Sequence, residues 1–301
     1  MKSALLALFF VQIFFATFPI FGKIAMREVS PLVVASFRAA FGAIFLSLAA
    51  RWASSDEPPF SRREHFTLFV LSMLGIVSNQ IFFISGLART SAIHASLIVA
   101  TIPAFTVLVG VVSGRERPGL RRIFGVPIAF LGILFLLGVG RTYVGAGSLA
   151  GDLLIAVNCL CYSMYLVGAR DILAKHSAIS VIAALFRYGA LPILLFAIPA
   201  LRTFEPSKLS AAAAWSIAAI VIFATVLAYF LNAWALARTD ASTAAIFVYI
   251  QPLIAGTLAW LVLGERPGPR TGGAALLILA GVALTTWPGR VRRPTDPLPE
   301  V

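Results

Sequence analysis

The sequence predicts an all-α membrane protein of ten transmembrane helices, laid out as two inverted five-helix repeats around a central cavity. Three observations predict it. Residues 4–22, 65–88, 90–114, 123–140, 209–237, 241–264 and 271–289 contain no Asp, Glu, Lys or Arg, and a bilayer core takes about 20 apolar residues of helix. One stretch occurs twice: Leu87-Ala88-Arg89-Thr90, Pro103, Glu116-Arg117-Pro118-Gly119 and Arg121 return, 149 positions later and without a gap, as Leu236-Ala237-Arg238-Thr239, Pro252, Glu265-Arg266-Pro267-Gly268 and Arg270. Finally, basic residues crowd alternate loops, as the positive-inside rule describes.

Composition narrows the class. The chain has 301 residues, 60% hydrophobic and 12% charged, with mean hydropathy +0.95; soluble domains carry about 25% charged residues. The net charge of +12 sits in short loops and the C-terminal tail, not in a basic stripe interleaved with stacking aromatics, so no nucleic-acid partner is expected. Cys159 and Cys161 stand two apart in an apolar segment, on different faces of a helix. They read as free thiols, and neither a metal site nor a cofactor is expected. The opening segment lacks a small-residue cleavage site and runs into Lys23 and Arg27, so it reads as a helix, not a leader.

The helices fall at about 3–25, 31–53, 65–88, 92–113, 121–141, 148–170, 178–201, 210–237, 241–263 and 270–288, each long enough to cross. Ser30-Pro31 starts the second, and Asp56-Glu57-Pro58-Pro59 turns into the third. Gly145-Ala146-Gly147-Ser148 breaks the chain near its midpoint, and Pro288-Gly289 stops the last helix. The repeat spans 14 identities in the 48 positions from Leu87 to Leu134, and the same shift carries Phe37-Arg38 onto Phe186-Arg187. The units are therefore 1–145 and 146–288, followed by a basic tail, 289–301, expected to be disordered. Five crossings per unit is odd, so the two units point in opposite directions through the membrane. Loops on the N-terminal side carry 14 Lys and Arg against 8 on the other, which puts both termini in the cytoplasm.

These residues are together similar to the EamA family of the drug/metabolite transporter superfamily. The resemblance lies in the five-plus-five repeat, the Ala-Arg-Thr and central proline of each half, the Gly-Arg-Glu-Arg-Pro and Gly-Glu-Arg-Pro turns, the Gly-rich final helix and Gly151-Asp152 at the start of the second half. It implies a solute carrier of the bacterial inner membrane, working by alternating access, and export of small metabolites. Amino acids, including aromatic or apolar ones, are the first expectation. Sugars, vitamins and cationic compounds stay open, with a channel more remote. The expected partners are a small-molecule substrate and the lipid bilayer. A monomer suffices, and a dimer stays open.

Such a carrier needs polar and aromatic groups at mid-helix positions, where lipid exposure is costly. The candidates for substrate binding are Asn79, Gln80 and Phe83 on the third helix, Thr101 on the fourth, and Asn158, Tyr162 and Tyr165 on the sixth. Tyr229 and Asn232 on the eighth and Tyr249 and Gln251 on the ninth complete them. Any one of them equally suits hydrogen bonding between helices. Pro19, Pro103 and Pro252 each remove a backbone donor, and so hinge a gate or shape a static kink. Arg38 and Arg187 are repeat mates deep in the bilayer. They read as structural donors to neighbouring helix ends, since mates in opposite leaflets could hardly hold one substrate carboxylate. Glu116 and Glu265 read as ties from a loop to a helix N-terminus. With every Asp and Glu in a loop, a tail or a helix end, facilitated transport is expected unless Asp152 lies deeper than its position suggests. No catalytic set of buried acids, histidines or nucleophile appears, so no enzyme is expected.

Overall fold

The computed structural model describes residues 2–53, 57–115, 119–137, 148–236, 238, 247 and 250–286. Ten apolar helices succeed one another and no strand occurs among these residues. They are α1 (Lys2–Ala25), α2 (Pro31–Ala53), α3 (Arg62–Leu87), α4 (Ala92–Val112), α5 (Leu120–Leu137), α6 (Leu149–Gly168), α7 (Ala178–Arg202), α8 (from Ala211–Val221 to Ala228–Leu236), α9 (Ile250–Leu263) and α10 (Pro269–Thr286). Eight are long and apolar enough to cross a membrane, and the cores of α5 and α9 are shorter apolar helices. The protein is a multi-pass membrane protein.

Local chemistry explains the starts. Ser61, Ser91, Ser148, Ser177 and Ser210 each accept a backbone N–H three residues on through the side-chain oxygen, relieving one orphan donor of a helix start. At Ser61 the box is reciprocal, because the Glu64 carboxylate accepts from the Ser61 amide at 2.9 Å. Three helices are not regular. α4 breaks at Ala100-Thr101, ahead of Pro103, whose ring cannot follow a normal turn. α3 and α8 each hold a six-residue π-helical segment, Met73–Ser78 and Ile222–Leu227. The two segments are repeat mates, since 73 and 78 become 222 and 227 on adding 149. Single-turn π segments inside α-helices recur at functional sites.

Packing follows the same exchange by five. α5 lies along α10 and α2 along α7, so each pair joins a helix to its own mate; α3 and α4 pack on α6 as α8 and α9 pack on α1. The α5–α10 seam is built on glycine. A Cβ on Gly281 would lie 2.3 Å from the Ala129 amide nitrogen, and one on its mate Gly132 would lie 2.7 Å from Ile278. Only bare backbone allows that approach, the usual basis of helix association in lipid. The outward faces carry Phe9, Ile44, Phe45, Leu134, Leu195, Phe196 and Leu276, all exposed, a surface that suits hydrocarbon and not water.

The loops are tied in a way that fits ten crossings. On one side Glu28 accepts from the Ser210 amide at 2.8 Å, Glu265 accepts from the Ala92 and Ile93 amides at 2.8 and 3.0 Å, and the Ser148 amide donates to the Arg89 carbonyl at 3.1 Å. On the other side Glu57 accepts from the Ser177 amide at 3.0 Å and Arg115 pairs with Asp171 at 3.1 Å. Each bond joins loops of the same parity, as a chain crossing at every helix requires.

Candidate functional site

The π segments and the helices facing them bring a group of aromatic and amide side chains into the middle of the bundle. From α1, Phe18 stacks on Phe83 of α3 with centroids 4.9 Å apart, and Phe15 meets Tyr229 of α8 edge-on at 5.8 Å. From α7, Phe186 meets the same tyrosine at 5.2 Å. On α6, Tyr162 and Tyr165 lie one turn apart with rings at 5.4 Å. Gly75, inside the α3 π segment, leaves room for the second ring: a Cβ there would lie 2.5 Å from the Tyr165 ring carbon Cγ. Tyr165 belongs to the buried core of the bundle, and Tyr162 and Tyr229 pack against that same core.

Arg38 is the charged centre of this group. It is 4% exposed, and no other Lys or Arg among the described residues is buried. Its Nε donates to Thr225 Oγ1 at 3.0 Å, and its guanidinium carbon sits 4.1 Å from the centroid of the Phe18 ring. A cation over a desolvated aromatic face gains about 2 kcal/mol. Thr225 is available because it lies in the α8 π segment, where its hydroxyl also donates to the Ile220 carbonyl five residues back, at 3.0 Å. Gly42, one turn on from Arg38, admits the Phe186 ring: a Cβ would be 2.5 Å from Phe186 Cε1.

Arg187 does not share this environment. It is exposed and makes no hydrogen bond or ion pair among the described residues, so the expected pair of equivalent structural donors is not found. The reason is a rotation. In the Phe37-Arg38 pair the arginine faces inward, whereas in Phe186-Arg187 the phenylalanine does, at 0% exposure. One residue is about 100° of helix, enough to exchange the two.

The other sequence candidates divide. Asn158 donates to the Asn79 carbonyl at 2.8 Å, tying α6 to the end of the α3 π segment. Gln80 is 2% exposed and neither its amide nitrogen nor its oxygen has a hydrogen-bond partner among the described residues; the buried Gln12 side-chain oxygen lacks one too. Thr101 is turned away, its hydroxyl donating to the Ile98 carbonyl at 2.5 Å within the α4 break. Asn232 and Gln251 are half-buried with no side-chain hydrogen bond among the described residues, and Tyr249 and Glu116 lie outside them. Pro19 is buried within α1 and Pro252 near the start of α9, while Pro103 opens the second segment of α4. Phe18 and Phe186 belong to the cluster and were not singled out from the sequence. The only signal for Phe186 was its place beside Arg187 in the repeated Phe-Arg pair. Two cavities, of ≈ 220 and ≈ 280 Å³, lie among the loops on the Glu28 and Glu265 side and not at the aromatic cluster.

Asp152 is the carboxylate whose depth the sequence left open, and it is buried. It is 0% exposed although it stands in the first turn of α6. The α3–α4 connection folds over it: the Thr90 hydroxyl donates to one carboxylate oxygen, and His94 Nδ1 lies 3.0 Å from the other. Gly151 makes the contact close, since a Cβ there would fall 2.8 Å from the Arg89 carbonyl carbon.

Comparison with known proteins agrees with this architecture. The EamA-like transporter family model matches twice, over residues 2–138 and 149–287. An uncharacterized transporter of Archaeoglobus fulgidus is 28% identical over 272 residues, covering 89% of this chain and 91% of that one. The uncharacterized transporter YdfC of Bacillus subtilis is 29% identical, covering 87% and 84%. A WAT1-related protein of Arabidopsis thaliana is 21% identical, covering 95% and 91%. One solved crystal structure superposes with a TM-score of 0.64 at 20% identity, over 95% of this chain and 97% of that one. The chain belongs to the EamA-like transporter family.

Proposed function

We propose that this membrane transporter of small solutes is an alternating-access carrier of the bacterial inner membrane that exports amino acids, aromatic or apolar ones included. The observation that carries the reading is the cluster of Phe15, Phe18, Phe83, Tyr162, Tyr165 and Tyr229 around one buried cation and a buried, unbonded amide, drawn from α1, α2, α3, α6 and α8. Aromatic faces suit an apolar side chain, and amide and guanidinium groups suit a zwitterion. A cationic compound fits less well, because the one charge in the cluster is positive.

Transport in this reading is a rocking of two inverted halves, 1–145 against 146–288, with the termini in the cytoplasm. The packing pairs that exchange under a shift of five helices support it, and so do the matched π segments of α3 and α8, which give each half a place to bend. Pro19 inside α1 and Pro252 near the start of α9 each remove a backbone donor, and α4 is broken ahead of Pro103. A monomer holds the whole cluster. In this reading the protein carries rather than transforms its solute, and its membership of a transporter family supports that. The test is counterflow in proteoliposomes with labelled amino acids. Saturable exchange is the expected result. Flux that rises linearly with concentration contradicts a carrier and favours a channel, and saturable flux of sugars alone contradicts the substrate.

A further inference from the structure

We infer that Arg38 is the carboxylate anchor of the substrate site and that Arg187 has no part in it. The inference rests on the carrier reading above and deepens it, because it selects solutes that carry a carboxylate next to an apolar or aromatic portion.

A guanidinium has five N–H donors in a planar fork. At Arg38 only Nε is used among the described residues, by the Thr225 hydroxyl. No carboxylate among them pairs with this cation, and the face toward Phe18 is occupied by the ring at 4.1 Å. The bond to Thr225 and the stack on Phe18 fix the plane of the group from two sides, leaving the fork formed by the two terminal nitrogens, the geometry that binds a carboxylate bidentately. A buried cation without an anion is costly, and a solute carboxylate supplies the anion.

Gln80 is a second, independent pointer. Its amide is buried and has no hydrogen-bond partner at either atom among the described residues, and it stands one turn before Phe83, which stacks on the Phe18 ring that Arg38 covers. Such an amide costs free energy unless a ligand engages it. Its oxygen can accept from an α-ammonium, as can the unbonded Gln12 oxygen one turn before Phe15. The objection that two arginines in opposite leaflets cannot hold one substrate falls away, because Arg187 lies on the exposed face of α7.

The test uses the full chain in proteoliposomes. Counterflow of labelled L-phenylalanine and L-leucine is competed by each amino acid and by its carboxamide, for wild type, R38Q, R38K and R187Q. Thermal denaturation in detergent accompanies each variant. In wild type the acids are expected to compete better than the amides by about 10-fold or more, the worth of one charge-assisted contact. R38Q is expected to bring acid and amide level, R38K to fall between, and R187Q to keep the wild-type ratio. An unchanged ratio in folded R38Q overturns the anchor. Should R38Q fail to fold, the wild-type ratio still decides: a value near one overturns it. Saturable counterflow that ignores the carboxyl overturns the anchor alone. Absence of saturable counterflow for both amino acids overturns the amino-acid carrier reading and the anchor with it.

Discussion

The two halves of this protein agree in backbone and differ in chemistry. Both keep a π segment at the same register, Met73–Ser78 and Ile222–Leu227, and both place a glycine, Gly132 or Gly281, in the α5–α10 seam. Yet within and just after each π segment, Ile76, Gln80 and Phe83 correspond to Thr225, Tyr229 and Asn232. On the helices opposite, an inward Arg38 corresponds to an outward Arg187. On the proposed reading, duplication has preserved the packing and the π segments and has left the groups assigned to the solute free to diverge, since a rocking carrier needs two similar halves but only one site.

Substituting the mates in turn sharpens that contrast. Loss of Arg38 removes a charged contact and leaves Thr225 and Phe18 without their partner, so R38Q is expected to lower the transport rate about 100-fold at subsaturating solute, equivalent to about 2.7 kcal/mol. R187Q is expected to stay within about two-fold, as for an exposed side chain with no hydrogen bond or ion pair to lose among the described residues. Counterflow rates measured on both at equal protein density check this, and equal losses in the two would break the comparison.

The glycines divide by space and not by number. Gly281→Ala forces a methyl against the Ala129 backbone and is expected to cost about 1–3 kcal/mol or more; Gly132→Ala, against Ile278, sits at the lower end of that range. At Gly256 an added methyl would meet nothing within 4 Å, so Gly256→Ala is expected to be neutral or to stabilise by about 0.5–1 kcal/mol. Thermal denaturation in detergent orders the three. A Gly281→Ala protein as stable as wild type would contradict the close α5–α10 seam.

Gly42→Ala displaces the Phe186 ring, which the methyl would meet at 2.5 Å. Transport is expected to fall several-fold with a smaller loss of stability, because the ring can shift, whereas truncation at the mate, exposed Leu191→Ala, is expected to do little. Smallest of all is the effect at the loop carboxylate of Glu28. The Ser210 hydroxyl and then its backbone amide, both donating to Glu28, hold its pKa below the usual 4.5. A carboxylate depressed in the folded state adds stability above its unfolded pKa, and that contribution is lost as the pH falls below about 4.5. Glu28→Gln is therefore expected to flatten the acid limb of a stability profile slightly and to leave it unchanged near neutral pH. The group is fully exposed, so a large change would point to another role.

Much of the fold was legible because lipid demands it. Charge-free runs mark the helices, and the 149-residue shift marks the halves. The depth of Arg38 was legible as well, but its partners were not. Whether Phe186 or Arg187 faces inward turns on a rotation of one residue, which hydrophobic pattern cannot register when both faces of a helix are apolar. The π segments have no sequence signature apart from their repeat register. The depth of Asp152 was left open by its first-turn position, and the fold of Arg89 to His94 over it is what buries it. Thr101 looked like a site residue because it is polar and central; the α4 break lets its hydroxyl satisfy the Ile98 carbonyl instead.

Alternating access is most directly tested by holding each end shut. In a background with Cys159 and Cys161 replaced by alanine, Glu28→Cys with Ser210→Cys places two thiols where a carboxylate and a hydroxyl now bond, and Glu57→Cys with Ser177→Cys places two thiols at the opposite end, where the Glu57 carboxylate accepts from the Ser177 backbone amide. Counterflow is measured before cross-linking with a short thiol reagent and after it. Rocking of the two halves predicts that either cross-link alone abolishes exchange, while the unlinked pairs still transport. Full exchange with either end covalently closed would contradict it.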